Sequence, residues 1–228
     1  MIEFLLLDLD DTILDFHMQE SFAIRKTLSS VGITPTDDVC KLYSKINLRH
    51  WAMLEKGEIT REKLAWHRFW ELFEVLGISA DPHETSALYW ENLACGHYFL
   101  PGAEEAVKAL AEKYKLYMVT NGTASVQHSR IKSAGLAPYF EKIFISQEIG
   151  VDKPATAYFD ACFAQIPGFD REKAMIVGDS LGSDIRGGKN AGIRTCWVNP
   201  KGKVAPPENM PDYEIKSITE LEALLETL

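Results

Sequence analysis

The sequence predicts an α/β fold in which a doubly wound parallel sheet is interrupted by a helical insertion. From residue 103 onward, short apolar runs alternate with helical segments, a pattern typical of parallel strands covered by helices on both faces. A further apolar run, FLLL, lies near the start, and the helical pattern of residues 17–97 separates it from the alternating part. We therefore expect an α/β core formed by residues 1–16 and 98–228, and a helical domain formed by residues 17–97.

The first strand and the insertion come first along the chain. Residues 2–8 are typical of a buried strand, because a continuous apolar run ends there in polar residues. Four helical segments follow, bounded by glycine stops and capping residues. They cover residues 21–32, 34–57, 60–77 and 81–94, with Thr60 and Asp81 as N-caps and Gly77 as a C-terminal stop.

Four helix–strand pairs and a last helix follow Pro101-Gly102. The predicted strands are KLYMVT (115–120), KIFIS (142–146), AMIVGD (174–179) and RTCWVN (194–199). The predicted helices are residues 103–114, 124–135, 156–166, 182–192 and 219–228. Residues 199–212 have the composition of a loop.

Composition limits the function classes. A formal net charge of −9 argues against a nucleic acid or an anionic membrane as the main partner. The cysteines are far apart, with no C-x-x-C pair, which fits free thiols in a reducing compartment better than disulfides or zinc. The sequence shows neither a signal peptide nor an apolar run long enough to cross a bilayer. We expect a cytoplasmic protein, monomeric or homodimeric, that acts on a small molecule.

Polar side chains follow the predicted strands where each strand ends. In a doubly wound, Rossmann-like sheet, ligands bind outside the carboxyl ends of the strands. The residues found there are Asp8 and Asp10, Thr120 and Asn121, Lys153, and Asp179 to Asp184.

The acidic residues of this group predict a metal site. Asp8 and Asp10 are two residues apart, so their side chains share one face if the strand geometry persists. Neighbouring carboxylates either retain a proton or hold a cation, and Asp179 adds a third carboxylate. Because no histidine or cysteine is nearby in sequence, Mg²⁺ is favoured over Zn²⁺. Asp184 either supports the metal through a water molecule or only begins the helix that follows.

The remaining residues of the group predict an anion site beside the metal. Thr120 offers a hydroxyl, Asn121 an amide and Lys153 a positive charge, which suits a phosphoryl group with several charged oxygens. A carboxylate in such a site can act as a nucleophile. Each residue alone has an ordinary reading as a strand, turn or loop residue. The prediction depends on their meeting at one edge of one sheet.

Four segments in order resemble the motifs of the haloacid dehalogenase-like superfamily: DLDDT (8–12), VTNG (119–122), DKP (152–154) and GDSLGSD (178–184). The resemblance implies a phosphatase that works in two in-line steps. Asp8 would be the nucleophile. Asp10 would protonate the leaving oxygen and then activate water, while its backbone carbonyl contacts Mg²⁺.

The same resemblance implies roles for the other motif residues. Thr120, with Asn121 beside it, and Lys153 would hold the phosphoryl oxygens, and Lys153 would also orient the nucleophile. Asp179 would bind Mg²⁺ directly, so the implied metal ligands are Asp8, Asp10 and Asp179. Asp184 and Ser180 would support the site.

Two positions in the first motif refine this expectation. The dehalogenase branch of the superfamily carries another residue in place of Asp10, which disfavours carbon–halogen cleavage. Asp11 occupies a position that is often glycine in the family. We expect it to make the loop more acidic without disturbing catalysis.

The insertion is similar to the helical cap of this superfamily. The segments DLDDTILDF (8–16), WAMLEKGEITREKL (51–64), SQEIGVDKP (146–154) and GDSLGSDIRGGKNAGI (178–193) resemble those of bacterial pyrimidine nucleotidases in particular. This implies a nucleoside monophosphate as substrate and a cap that closes over the site. Aromatic residues would either stack on the base or form the cap core: Phe16, Trp51, Trp66, Phe69, Trp70 and Trp90. Trp51 and His17 are the first candidates for substrate contact, and His50 is a further one. The alternatives are a sugar-phosphate phosphatase, a phosphomutase, or an inactive protein that binds a phosphorylated ligand.

Overall fold

The computed structural model describes residues 1–228, and the chain divides into two compact units. One unit comprises Met1–Phe16 and His97–Leu228, and the other comprises His17–Gly96. The sequence-based boundary places residue 97 in the insertion. In the structure His97 belongs with the α/β unit, where its Nδ1 lies 2.9 Å from Oγ of Ser133. The roles of the two units as catalytic core and cap remain predictions.

The α/β unit contains a six-stranded sheet whose paired strands are all parallel. The strands are β1 (Phe4–Leu7), β2 (Lys115–Thr120), β3 (Lys142–Ile145), β4 (Ala174–Gly178), β5 (Arg194–Val198) and β6 (Tyr213–Ile215). Their order across the sheet is β3-β2-β1-β4-β5-β6. The predicted α/β class and parallel sheet are confirmed, whereas β6 was not predicted.

The central strand β1 is buried on both faces. Its alternating side chains pack into two separate apolar clusters, with Phe4 and Leu6 in one and Leu5 and Leu7 in the other. This burial explains why the strand is a continuous apolar run instead of an alternating one.

Six helices of this unit cover the sheet or connect its strands. They are α5 (Ala103–Ala111), α6 (Ala124–Ser133), α7 (Ser146–Ile149), α8 (Thr156–Phe163), α9 (Arg186–Ala191) and α10 (Leu221–Leu225). A π-type turn, Leu181–Ile185, precedes α9. The predicted helix 182–192 therefore begins in a wider turn, and the predicted helix 219–228 is shortened to α10.

The helical unit contains the four predicted helices. They are α1, which begins in the other unit (Phe16–Ser30), α2 (Asp37–Glu55), α3 (Arg61–Leu76) and α4 (Pro82–Leu93). Thr60 caps α3 by accepting a hydrogen bond from the N–H of Lys63, and Asp81 caps α4. Gly77 ends α3 in the left-handed conformation that favours glycine. None of the helices combines the length and apolar character that a membrane span requires.

Candidate active site

The candidate site lies where the order of strands reverses. The chain fills the sheet on one side of β1 with β2 and β3, and then returns to the other side with β4. Asp8 directly follows β1 and Asp179 directly follows β4, so both stand at the reversal point where such sheets bind ligands. The N–H of Asp8 donates to the carbonyl of Val177, which fixes the start of the loop against β4.

The ammonium of Lys153 is the centre of the site. This buried side chain donates hydrogen bonds to Oδ1 of Asp8 at 2.7 Å, to Oδ1 of Asp184 at 2.6 Å and to the carbonyl of Val119 at 2.7 Å. These bonds use all three of its N–H groups. The sequence-based pairing of Lys153 with Asp8 is therefore present, and Asp184 is a second partner.

Three carboxylates gather around this single cation. One oxygen from each of Asp8, Asp179 and Asp184 lies within 4.8 Å of the others. If all three are ionised, three negative charges face one positive charge, which leaves a local charge of −2. Burial and repulsion from neighbouring carboxylates raise the pKa of Asp8 to about 7 and that of Asp179 to about 9. Burial opposes the charge on Lys153, but Asp184 and Asp8 outweigh it and raise the pKa of the ammonium.

This donor set fits a hard divalent cation. The local charge of −2 and the exclusively oxygen donors suit Mg²⁺. Asp179 is partly exposed and leaves room for water ligands on the ion. The cluster contains Asp184 directly, whereas the carboxylate of Asp10 is engaged elsewhere. Contact of the Asp10 carbonyl with a metal remains a prediction.

Asp10 is held by two residues that the sequence analysis missed. Its Oδ1 accepts a hydrogen bond from Nη1 of Arg130 at 2.6 Å, and its Oδ2 accepts one from Nε2 of Gln127 at 2.8 Å. The two partners are buried and contact each other, three residues apart on α6. The signal that could have identified them in the sequence is a glutamine and an arginine three residues apart, and so on one helix face, in the helix that follows VTNG.

Asp8 and Asp10 were expected to share one face if the strand geometry continued through them, but the strand ends before Asp8. Strand β1 ends at Leu7, and the next residues form a tight turn in which the N–H groups of Ile13 and Leu14 both donate to the carbonyl of Leu9. The face relation of a strand therefore does not apply to the two carboxylates.

Thr120 and Asn121 close the loop after β2 in different ways. The buried hydroxyl of Thr120 accepts a hydrogen bond from Nε2 of Gln127 at 2.8 Å and keeps its own proton for a ligand. The amide of Asn121 instead forms two 2.9 Å bonds with the backbone of Lys153, accepting from its N–H and donating to its carbonyl. In the structure Asn121 therefore positions Lys153, and its contact with phosphate remains a prediction.

Ser180 and Asp184 stabilise the loop after β4. The N–H of Ser180 donates to Oδ2 of Asp184, while the hydroxyl of Ser180 accepts from the N–H of Ser183. Gly178 is required beside them, because an added Cβ would collide with the carboxylate of Asp184.

The residues predicted to stack on the base or to form the cap core lie in the helical unit, except Phe16, which belongs to the α/β unit. His17 is exposed at the start of α1, and Trp51 is half-buried in α2, with the guanidinium of Arg61 5.6 Å from its ring centre. Phe69 is fully buried against Tyr43, as a core residue would be. Contact of His17 or Trp51 with a substrate remains a prediction.

The family model described as haloacid dehalogenase-like hydrolase matches residues 2–192. The chain belongs to this family. It is therefore an enzyme of the hydrolase class, and its relatives named pyrimidine 5'-nucleotidase place it with the phosphatases of the family.

Three curated relatives match nearly the whole chain. HAD-hydrolase YfnB of Bacillus subtilis is 40% identical over 97% of this chain and 94% of its own length. Pyrimidine 5'-nucleotidase PynA of Streptococcus pneumoniae is 36% identical over 96% and 93%, and pyrimidine 5'-nucleotidase YjjG of Escherichia coli is 32% identical over 98% and 97%. A crystal structure of YfnB bound to magnesium superimposes with a TM-score of 0.94, at 39% identity and 98% coverage of both chains.

Proposed function

We propose that this enzyme is a Mg²⁺-dependent phosphatase of nucleoside 5'-monophosphates and that pyrimidine nucleotides are its preferred substrates. The observation that carries the proposal is the cluster of three carboxylates around Lys153, with the Thr120 hydroxyl and the Asp10 carboxylate both tied to Gln127 nearby. This arrangement offers a nucleophile, an anion site and a second carboxylate for proton transfer.

In the first step, a carboxylate oxygen of Asp8 attacks phosphorus and the bond from phosphorus to the alcohol oxygen breaks. Asp10, protonated at this stage, gives its proton to that oxygen, so the alcohol leaves neutral. Lys153 holds Asp8 in place through Oδ1 and favours the approach of an anionic phosphoryl group. Arg130 and Gln127 stabilise the carboxylate that remains on Asp10.

In the second step, Asp10 takes a proton from a water molecule whose oxygen attacks the phosphorus of the aspartyl phosphate. The bond between phosphorus and Asp8 breaks, inorganic phosphate forms, and both carboxyl groups return to their starting states. Mg²⁺, held by Asp8, Asp179 and supporting oxygens, would supply charge neutralisation at the phosphoryl oxygens when bound.

The substrate class is supported by the extent of the similarity. Both relatives named pyrimidine 5'-nucleotidase match across the α/β unit and the helical unit, so the likeness is not confined to the motifs that handle phosphate. Because those motifs contact only the phosphoryl group, a choice between nucleotide and sugar phosphate must come from other residues. We propose that residues of the helical unit, His17 and Trp51 first among them, make that choice.

A panel of phosphorylated metabolites tests the proposal. Purified enzyme with Mg²⁺ is assayed for released phosphate on pyrimidine and purine nucleoside monophosphates, sugar phosphates and p-nitrophenyl phosphate, with Asp8→Asn as the inactive control. The highest kcat/KM is expected on a pyrimidine nucleotide. A sugar phosphate in first place would overturn the substrate assignment and leave the phosphatase chemistry standing.

The cap residues need a separate comparison. Trp51→Ala should lower kcat/KM on the best nucleotide by about tenfold or more, since one lost apolar contact costs roughly 1–3 kcal/mol of discrimination. Turnover of p-nitrophenyl phosphate should change much less. Exposed Phe22, an aromatic residue of α1 outside the set of predicted stacking residues, replaced by alanine in the same way, is the matched control. An equal loss on both substrates would exclude Trp51 as a specificity residue.

A further inference from the structure

Two histidines and a glutamate of the helical unit lie together on α2 and α3. Nε2 of His50 is 3.0 Å from Nδ1 of His67, and it is 3.8 Å from a carboxylate oxygen of Glu71. One ligand atom from each residue falls within 4.8 Å of the others. Nothing in the phosphatase chemistry described above uses this group.

The tautomer of His50 is fixed by the backbone. Its Nδ1 lies 2.9 Å from the carbonyl oxygen of Ile46, and because a carbonyl only accepts, Nδ1 must carry the proton. The lone pair of the neutral ring is therefore on Nε2, which faces His67. A ligand histidine whose other nitrogen donates to a carbonyl is the usual arrangement at protein metal sites.

We infer that His50, His67 and Glu71 form a binding site for a divalent transition-metal ion, with Zn²⁺ as the preferred ion and water completing the shell. Two imidazoles and one carboxylate are an established zinc donor set, and imidazole suits Zn²⁺ far better than Mg²⁺. Ligand nitrogens at about 2.0–2.1 Å from a tetrahedral ion are roughly 3.3 Å apart, close to the spacing present between His50 and His67.

The environment of the cluster allows an ion to enter and be retained. His50 is 2% exposed, whereas His67 and Glu71 are partly exposed, so one side is anchored and the other is open to solvent. His67 and Glu71 are four residues apart on α3 and therefore on one face of the helix. A bound ion would cross-link α2 to α3.

One cation competes with the proposed ion. The guanidinium of Arg49 pairs with the same oxygen of Glu71 that lies near His50. Its side chain is more than half exposed and can be released to water when a metal binds. Removal of Arg49 should therefore tighten metal binding, an effect that a purely structural histidine pair would not produce.

The test uses the full-length enzyme, stripped of metal with a chelator and then kept in saturating Mg²⁺. Zn²⁺ is titrated by calorimetry, and Co²⁺ is titrated by its visible absorption and by tryptophan quenching. The quenching is informative because the rings of Trp66 and Trp70 are centred 5.3 and 4.9 Å from the ring of His67. We expect one Zn²⁺ per chain at this site and a higher melting temperature when it binds.

Variants separate this site from other metal binding. His67→Gln keeps a donor toward His50 and should lower Zn²⁺ affinity roughly tenfold or more, as should Glu71→Gln. Arg49→Gln should raise the affinity several-fold. His83→Gln is the matched control, since His83 is exposed and stacks on Trp66 outside the cluster. Asp179→Asn controls for metal binding at the core site, the carboxylate cluster of Asp8, Asp179 and Asp184, and should leave Zn²⁺ affinity unchanged.

Three outcomes would overturn the inference. One is no saturable Zn²⁺ binding by the wild type. Another is equal affinity in the wild type and in both ligand variants, when circular dichroism shows that those variants are folded. The last is loss of Zn²⁺ binding in Asp179→Asn, which would assign the ion to the core site.

Discussion

Asp8 combines burial with an unusually crowded charge environment. It is 7% exposed, bonded to Lys153 and close to two further carboxylates. Asp8→Asn keeps the size of the side chain but replaces the charged, nucleophilic carboxylate by a neutral amide. Turnover should therefore fall by at least about 10³-fold while the fold is retained. Phosphate release and circular dichroism measure the two effects. Activity within tenfold of the wild type would contradict the role of Asp8 as nucleophile.

We expect Arg130 to act as a positioning residue for the same reaction. It is fully buried and donates to Asp10, which we propose as the acid and base. Arg130→Met should therefore lower kcat by a large part of the roughly 10²–10⁴-fold that a positioned acid–base group contributes, with little change in KM. Arg130→Lys should restore part of the loss because it keeps the cation. A parallel fall in kcat and melting temperature, without rescue by lysine, would indicate a structural role only.

At the level of single residues, the sequence predicts which side chains meet where a motif residue directly follows a strand, while the roles of these residues remain predictions. Asp8 and Asp179 directly follow β1 and β4, so the placement of strands was enough to bring them together. Lys153 lies beyond both β3 and α7, and its contact with Asp8 was expected from the motif it belongs to. Gln127 and Arg130 lie instead in α6, the helix after β2. Because polar residues of helices are more often exposed, their sequence positions gave no reason to place them in the site. Only the three-dimensional packing of α6 reveals that both are buried against Asp10.

At the scale of elements, the loop after β2 is tied to the loop before α8 by a single amide. The side-chain amide of Asn121 hydrogen-bonds to both backbone polar groups of Lys153. Asn121→Ala should therefore displace the ammonium of Lys153 without any other change in the two loops. A displacement of about 1 Å at a reacting group can cost on the order of 10² in rate. We expect a fall of that order in kcat/KM.

Asn190→Ala is the control for that variant. Asn190 is an exposed residue of α9 whose amide donates to the carbonyl of Pro154, next to Lys153. Its loss removes a bond to the same loop from the outer side and should leave kcat/KM within about twofold of the wild type. If the two variants lose activity equally, general loosening of the loop and not the orientation of Lys153 explains the effect.

The elements themselves were predictable to different degrees. Strands β2 and β4 are continuous apolar runs between helical patterns, and both appear where the sequence places them. Strand β6 has three residues, of which only Ile215 is buried, so it leaves no periodic signal. Its position at the edge of the sheet beside β5 depends on backbone pairing, which composition does not encode.

At the scale of the whole molecule, the clustered carboxylates link metal binding to stability. The pKa values of Asp8 and Asp179, about 7 and about 9 in the folded chain, are higher than the ordinary value of roughly 3.9 expected after unfolding. Their raised pKa values therefore favour the folded state most below about pH 4, and this stabilisation is lost as the pH rises through about 7 and about 9. The metal-free chain should become progressively less stable across that range.

Mg²⁺ should offset this loss, because it binds the ionised carboxylates of the folded chain and competes with protons for them. In chelator, the melting temperature should fall between about pH 5.5 and about pH 8.5. In Mg²⁺ it should fall less, so the increase caused by Mg²⁺ should be larger at the higher pH. Asp179→Asn removes one titrating group and one ligand, and it should reduce both the increase and its dependence on pH. An increase in melting temperature that is the same at both pH values, in the wild type and in the variant, would contradict a metal site built on Asp8 and Asp179.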